Sequence, residues 1–192
     1  FQSHTKHFIA RGGRNPYVNA KSPADLLDSW LIGWKAAVDA GTRWVMTNNN
    51  IGITPGVQTY FDKATFDLLR EQLGYDGVIV LDWPLDATRI LSGTGITRDG
   101  VDISQLDLAE RYALILNTGI DMFSCFLAVP GKDLSLLEDV GFQRYFPEYV
   151  AEAVERGLLT QERLDRSVYR VMREKFRVGI FDNPYRDWET AL

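Results

Sequence analysis

Short apolar segments alternate with amphipathic ones along most of the chain, and this order restricts the fold more than any other feature. The apolar segments have the length and composition of buried strands and lie at residues 43–47, 77–81 and 119–123. Helical patterns separate them, at residues 24–40, 63–73 and 106–117. Apolar strands joined by helices indicate a parallel sheet covered on both faces, and therefore an α/β protein.

The flanking segments continue this alternation. Residues 1–8 suit a short first strand, and helices are expected at residues 147–156 and 161–178. Residues 10–22 and 84–102 have the composition of loops. Two architectures fit this order, a doubly wound open sheet and a (β/α)8 barrel, and hydrophobic periodicity does not decide between them. Both place functional residues at the carboxyl ends of the strands.

Composition excludes several classes of protein. The 192-residue chain has a net charge of −5, whereas proteins that bind nucleic-acid phosphates favour basic surfaces. It contains no apolar run of about 18 residues, so no membrane span is expected. Neither HExxH nor a paired CxxC occurs, so we expect no metal site and no cofactor. The single cysteine, Cys125, excludes an internal disulfide.

Polar side chains follow the predicted strands. Lys6 and His7 end the first strand, Asn48–Asn50 follow the second, and Asp82 and Trp83 follow the third. In a parallel barrel these groups converge on one rim. Charged and amide groups bind hydroxyls, and an indole stacks on the apolar face of a pyranose, so this set predicts a sugar site. The alternative reading of the pattern is that Trp83 packs in the core or at the rim and that Lys6 pairs with an acid.

Several motifs occur along the chain in a fixed order. The sequence KHF lies at residues 6–8, VMTNNN at 45–50, GYDGVIVLDW at 74–83 and NTGIDM at 117–122. Together they resemble glycoside hydrolase family 3, the β-glucosidase and exo-glucanase family, whose nucleophile motif has the form G(F/Y)DGVVxSDW. Residues 153–185 resemble the helices that close the barrel of that family and the linker beyond. The resemblance covers nearly the whole chain.

The resemblance implies a fold. The chain would be the second half of a (β/α)8 TIM-type barrel, with the C-terminal half of the catalytic barrel at residues 1–178 and a linker towards a following domain at 179–192. In that family KHF lies midway along the barrel, so a companion polypeptide is expected to carry the first half. A secreted or periplasmic location is favoured by the family, although no signal sequence is visible.

The resemblance also implies a function. The protein would be a retaining exo-acting β-glycosidase that hydrolyses terminal β-D-glucosyl residues of β-glucosides or β-glucan oligosaccharides. Asp82 matches the nucleophile, and Lys6, His7, Trp83 and Asn49 would bind the sugar. One branch of the family carries an Asp/His dyad on the loop after KHF, but residues 9–22 contain neither residue. The acid/base is therefore expected to be a glutamate of the following domain.

The chain departs from the family pattern at three places. KHF is followed by Ile9–Gly13 where Pro-Gly-Gly-Gly is usual, Leu81 stands where serine is usual, and Asn48–Asn50 stand where an aromatic residue is common. The departures at Leu81 and Asn48–Asn50 support an alternative, a noncatalytic sugar-binding or scaffold subunit derived from the same barrel. A third hypothesis is an unrelated barrel enzyme that uses Asp82 as a base on a phosphorylated metabolite. The absence of a recognisable phosphate loop argues against it.

Overall fold

A parallel sheet lies at the centre of the described chain. The computed structural model describes residues 2–9, 23–48, 52–54, 56–82, 100–123 and 146–185, with the side chains of residues 23–29 and 146 excepted. Within this part, three strands pair in the order β1–β2–β3, namely β1 (His4–Phe8), β2 (Trp44–Thr47) and β3 (Val78–Val80). Val45 of β2 is the register partner of Thr5 on one side and of Ile79 on the other. The predicted α/β class is confirmed.

Helices cover this sheet. They are α1 (Pro23–Asp39), α2 (Lys63–Asp67), α3 (Leu108–Thr118), α4 (Phe146–Glu155) and α5 (Gln161–Arg177). Short 3₁₀ turns lie at Thr59–Phe61 and Ile103–Gln105. Each predicted helix is present within a few residues of its expected bounds. In the described part of the chain, no helix combines the length and apolar character needed to cross a bilayer.

The ends of α3 and α5 follow local sequence signals. Asp107 accepts a hydrogen bond from the amide of Glu110, and the Glu110 side chain accepts one from the amide of Asp107, which is a capping box. Helix α3 ends at Gly119, whose φ of 120° is readily adopted only by glycine. The Thr160 hydroxyl caps α5 by accepting from the amide of Arg163 at 3.1 Å.

The segment predicted as a strand at residues 119–123 is shorter than expected. It forms an isolated parallel bridge between Met122 and Val80 on the outer edge of β3. The reason is the side chain of Asp121, which accepts a hydrogen bond from the amide of Ile79 at 3.1 Å. A longer ladder would use that amide as a backbone donor, so the carboxylate replaces part of the ladder.

The predicted helix at residues 63–73 also changes form along its length. After Asp67 the helix becomes a π-helical turn, Leu68–Gln72, and the amide of Leu73 donates to the carbonyl of Leu68, five residues back.

The main hydrophobic core lies between the sheet and the helices. It includes Val45 and Ile79 from the sheet, Phe66 from α2 and Ile115 from α3, all of them buried. A second, smaller cluster joins α3 to α4 and the turn after it, and consists of Ala109, Ala113, Leu116, Ala153 and Leu159. The strand residues Val45, Val78, Ile79 and Val80 are accordingly buried.

Helix α5 is attached through buried carboxylates. Its Ser167 and Arg170 donate to Asp121 at 2.9 and 2.8 Å, and Arg70 also forms an ion pair with Asp121, whose side chain is completely buried. The predicted boundary at residue 178 between a barrel domain and a linker stays a prediction.

A second buried carboxylate, Glu174, belongs to α5 itself and lies one helical turn after Arg170. The Glu174 side chain is completely buried and accepts hydrogen bonds from Arg43 at 2.7 Å and Gln2 at 2.9 Å. Arg173 and Arg177 of the same helix donate to it as well. Residues that precede β1 and β2 are thereby bound to one carboxylate of α5.

Candidate active site

Asp82 lies just beyond the carboxyl end of β3. The preceding residue, Leu81, is 2% exposed and belongs to the main core, and its amide donates to the carbonyl of Met122 at 2.9 Å. Because successive side chains of an extended chain point to opposite faces of a sheet, the burial of Leu81 in the main core directs Asp82 to the other face, at the end of β3. The Asp82 side chain is 9% exposed, so it is mostly removed from water.

His7 is the neighbour that the structure places against Asp82. Its Nε2 lies 3.7 Å from the Oδ2 of Asp82, and its side chain is 10% exposed. In the pairing of β1 with β2, Lys6 is opposite Met46 and Phe8 is opposite Thr47, so His7 is an extra residue in β1. Such an irregularity changes the direction of a side chain, which accounts for the approach of His7 to a residue beyond β3.

Lys6 takes a different position. It is exposed and, among the described residues, forms no ion pair. It lines a cleft of about 450 Å³ together with Thr5, His7, Ile9, Trp30, Gly33 and Trp34. The Trp34 indole donates to the carbonyl of Ile9 at 2.7 Å, which fixes α1 against the end of β1. His7 borders both this cleft and Asp82, so it connects the two places.

The charges of Lys6 and His7 affect the pKa of His4, at the start of β1. Burial, followed by the charges of Lys6 and His7, lowers the pKa of His4 below its ordinary value. A positive charge on His4 is therefore disfavoured beside these two residues.

Asn48 is the described member of the asparagine run. It is 1% exposed, and its Oδ1 accepts a hydrogen bond from the hydroxyl of Thr59 at 2.6 Å. The backbone amide of Asn48 donates to the carbonyl of Phe8 at 2.7 Å, so the end of β2 is held against β1. The predicted sugar-binding residues Asn49 and Trp83 lie outside the described residues.

Thr47 and Thr59 take part in the site, although the sequence did not single them out. The Oγ1 of Thr47 accepts a hydrogen bond from the amide of Asp82 at 3.2 Å, and both residues are buried. Thr59 holds Asn48, as described above. The signal for Thr47 was available in principle, since it is the last residue of one predicted strand and Asp82 directly follows the next.

Within the described ranges, no group of three or more His, Cys, Asp or Glu side chains could hold a metal ion. The site consists of a mostly buried carboxylate with an imidazole beside it, and an adjoining cleft with a lysine and two indoles. A carboxylate in such a place can act as a nucleophile or as a base.

The fold of this chain is similar to that of part of a solved structure. A crystal structure of a β-glucosidase from Listeria innocua in complex with glucose superposes with a TM-score of 0.54 at 24% identity, over 79% of this chain and 17% of that one. This likeness concerns the fold, which is of the TIM-barrel type. That the chain forms one half of a barrel stays a prediction.

Curated relatives are longer than this chain. A probable β-glucosidase C of Aspergillus oryzae is 30% identical over 199 residues, which cover 97% of this chain and 28% of the relative. A periplasmic β-glucosidase/β-xylosidase of Dickeya chrysanthemi is 34% identical over 128 residues, 62% of this chain and 17% of the relative. The chain thus spans less than a third of these relatives, which carry the matching segment within one longer polypeptide. The comparison gives no support to a separate companion polypeptide.

The family model described as the glycosyl hydrolase family 3 N terminal domain matches residues 2–174, which contain β1, β2, β3 and the site around Asp82. This match extends over most of the sequence and agrees with the order of motifs from KHF to NTGIDM. The chain therefore belongs to glycosyl hydrolase family 3, within the N-terminal domain of that family.

Proposed function

We propose that this chain carries the nucleophile of a retaining, exo-acting β-glycosidase of the β-glucosidase type. The substrates are terminal β-D-glucosyl residues of β-glucosides or β-glucan oligosaccharides. The observation that carries the proposal is the position of Asp82, a mostly buried carboxylate at the carboxyl end of β3 with His7 3.7 Å away. Parallel α/β folds place their catalytic groups at that end of the strands.

The reaction proceeds in two displacements. The Asp82 carboxylate attacks the anomeric carbon while an acid protonates the glycosidic oxygen, which leaves with the aglycone and forms a covalent glycosyl-enzyme. Water, deprotonated by the same acid/base, then attacks the anomeric carbon and releases the sugar and the free carboxylate. In retaining enzymes the two catalytic carboxyl groups lie roughly 5–5.5 Å apart.

The acid/base is assigned to a following domain of the protein. The remaining buried carboxylates of the described residues have structural partners. Asp62 accepts from Thr54 and Thr65, and Asp121 and Glu174 hold α5 in place. None of these contacts involves Asp82. Each of these groups holds the scaffold instead of facing a leaving group.

The remaining residues bind the sugar. His7 is placed to contact the hydroxyls next to the reacting carbon, because it lies beside the attacking carboxylate. Lys6 donates to hydroxyls from the adjoining cleft, where Trp30 and Trp34 supply apolar faces. Trp83 and Asn49 complete the subsite on this proposal. Hydrogen bonds that strengthen in the transition state contribute to the rate as well as to binding.

Of the two departures that support the noncatalytic alternative, Leu81 and Asn48–Asn50, the first carries little weight. Leu81 replaces a serine in the family motif, but its side chain lies in the main core and does not line the site. The replacement therefore changes packing below the site and leaves the carboxylate in position. Relatives described as β-glucosidases support the hydrolase as the leading proposal.

Covalent trapping tests the proposal. The intact protein in its natural form is treated with an activated 2-deoxy-2-fluoro-β-D-glucoside, which reacts with a nucleophile and releases the sugar slowly. Mass analysis of peptides should place one fluoroglucosyl group on Asp82. The variant Asp82→Asn should remain folded and lose several powers of ten in kcat, while Asp39→Asn, at an exposed position, serves as the control. Asp82→Asn activity above about a tenth of the wild-type value would remove Asp82 from the nucleophile role.

A further inference from the structure

The backbone of Asp82 is held by a side chain at a place where a regular sheet would use a backbone carbonyl. The amide of Val78 donates to the carbonyl of Arg43 at 2.9 Å, which begins the ladder between β2 and β3. A parallel ladder advances by two residues on each strand at every repeat. Four residues further on, the amide of Asp82 would therefore donate to the carbonyl of Thr47. It donates instead to the Oγ1 of Thr47, at 3.2 Å.

The amide of the preceding residue, Leu81, donates to a backbone carbonyl. The pairing of β2 with β3 ends at Met46 and Val80, and the amide of Leu81 donates away from β2, to the carbonyl of Met122. The amide of Asp82 donates to the hydroxyl oxygen of Thr47. Thr47 is 0% exposed, so its hydroxyl is packed at this point and is not free to move towards water.

We infer that Thr47 is a positioning residue for the nucleophile, an inference that rests on the proposed role of Asp82. The hydroxyl fixes the peptide unit from which the carboxylate projects, and so sets the distance of the carboxylate from the reacting carbon. A displacement of about 1 Å in a reacting group can cost roughly a hundredfold in rate. The hydroxyl of Thr47 bonds the backbone amide of Asp82, so Thr47 should affect the attack more than the binding of the substrate.

Substitutions that separate shape from hydrogen bonding test this inference. Thr47→Val keeps the volume and removes the acceptor, whereas Thr47→Ser keeps the hydroxyl and removes the methyl group. Thr118→Val is a matched control, because Thr118 is also buried but its hydroxyl bonds the carbonyl of Ile115 in α3. All variants are made in the intact protein, and thermal unfolding is measured beside the kinetics.

The maximal rate of covalent trapping by the 2-fluoro-glucoside reports the attack, and inhibition by glucose reports binding. Thr47→Val should lower the trapping rate by about 10- to 100-fold and change the glucose inhibition constant by less than about threefold. Thr47→Ser should restore the trapping rate to within about threefold of the wild type, and Thr118→Val should lower the unfolding temperature without slowing trapping. If Thr47→Val does not fold, Thr47→Cys, with a poor acceptor of similar size, carries the same expectation.

The outcomes distinguish this inference from the proposed function. If the wild-type protein is labelled at Asp82 and Thr47→Val is trapped at the wild-type rate, the role of Thr47 is overturned and that of Asp82 stands. Equal slowing in Thr47→Ser and Thr47→Val would also overturn it, because the methyl group and not the hydroxyl would then matter. If the wild-type protein takes no label at Asp82, the proposed function itself fails.

Discussion

The Nε2 atom of His7 lies 3.7 Å from the Oδ2 atom of Asp82, although His7 belongs to β1 and Asp82 follows β3, on the other side of β2. They meet because β1 and β3 run in the same direction on either side of β2, and because His7 is the extra residue in the pairing of β1. An imidazole donor is thereby fixed beside the carboxylate proposed to attack the sugar. The contact makes His7 the described residue whose loss should affect the reaction most directly after Asp82.

His7→Ala should reduce kcat/KM for aryl β-glucosides by roughly a hundredfold, because a hydrogen bond that strengthens in the transition state is lost. His7→Gln should retain part of this activity, since its amide keeps a donor near the position of Nε2. Steady-state kinetics of the two variants provide the measurement. His4→Ala, at the start of the same strand, should stay within about twofold of the wild type. Equal activity of His7→Ala and wild type would place KHF outside the sugar site.

Lys6→Met should also reduce kcat/KM for glucosides by about a hundredfold, because the methionine keeps the unbranched stem of the lysine but cannot donate to a hydroxyl. Since Lys6 is exposed, the unfolding temperature should not change. Lys35→Met is the matched control on α1, where the exposed Lys35 pairs with Asp39 at 2.6 Å. A Lys6 variant with normal kinetics would show that the cleft beside Trp30 and Trp34 does not hold the sugar.

The sequence predicted the sheet well because its signal is local and strong. Buried strands such as Val78–Val80 are continuous apolar runs, and the ends of α3 carry a capping box and a glycine. The strand predicted at residues 119–123 was too long, because a side-chain contact between Asp121 and the amide of Ile79 replaces a backbone bond. No periodicity of apolar residues carries that information.

The sequence identified Asp82 and His7 as candidates, and the structure brings these two side chains together, but their geometry was not predictable. The position of Asp82 after an apolar strand identified it as a candidate, whereas the approach of His7, instead of Lys6, depends on an irregularity in β1. The role of Thr47 depends on which of its two oxygens accepts the hydrogen bond from the amide of Asp82. Such choices follow from packing between segments distant in the sequence, so they require the structure.

Asp121→Asn should lower the free energy of unfolding by about 3 kcal/mol or more, because it leaves buried guanidinium groups without their carboxylate. Asp121 accepts from Arg170, Ser167 and the amide of Ile79, and its side chain is fully buried. Urea unfolding followed by circular dichroism measures the change. The control Asp39→Asn removes an exposed pair and should cost less than about 1 kcal/mol. Similar losses in the two variants would show that the cluster around Asp121 does not secure α5.

Glu174 should make the stability of the protein sensitive to acid. Burial raises the pKa of this carboxyl, but the hydrogen bonds and charges of Arg43, Arg173 and Arg177 outweigh burial, so the pKa lies below the ordinary value of 4.5. A carboxyl whose pKa is lower in the folded than in the unfolded state binds fewer protons when folded. Its contribution to stability is therefore fully present above pH 4.5 and is lost as the pH falls through the lower, folded value.

The variant Glu174→Gln removes this titration and identifies its share of the acid sensitivity. Free energies of unfolding, measured in urea at several pH values between neutrality and the acid range, should show a large gap between wild type and variant at pH 7. That gap should narrow steadily below pH 4.5, because the wild-type carboxyl becomes protonated and then resembles the amide. Glu162→Gln, which removes an exposed partner of Arg166 on the same helix, should leave the pH profile unchanged. A gap of constant size across this range would show that Glu174 stabilises α5 through its shape and not through its charge.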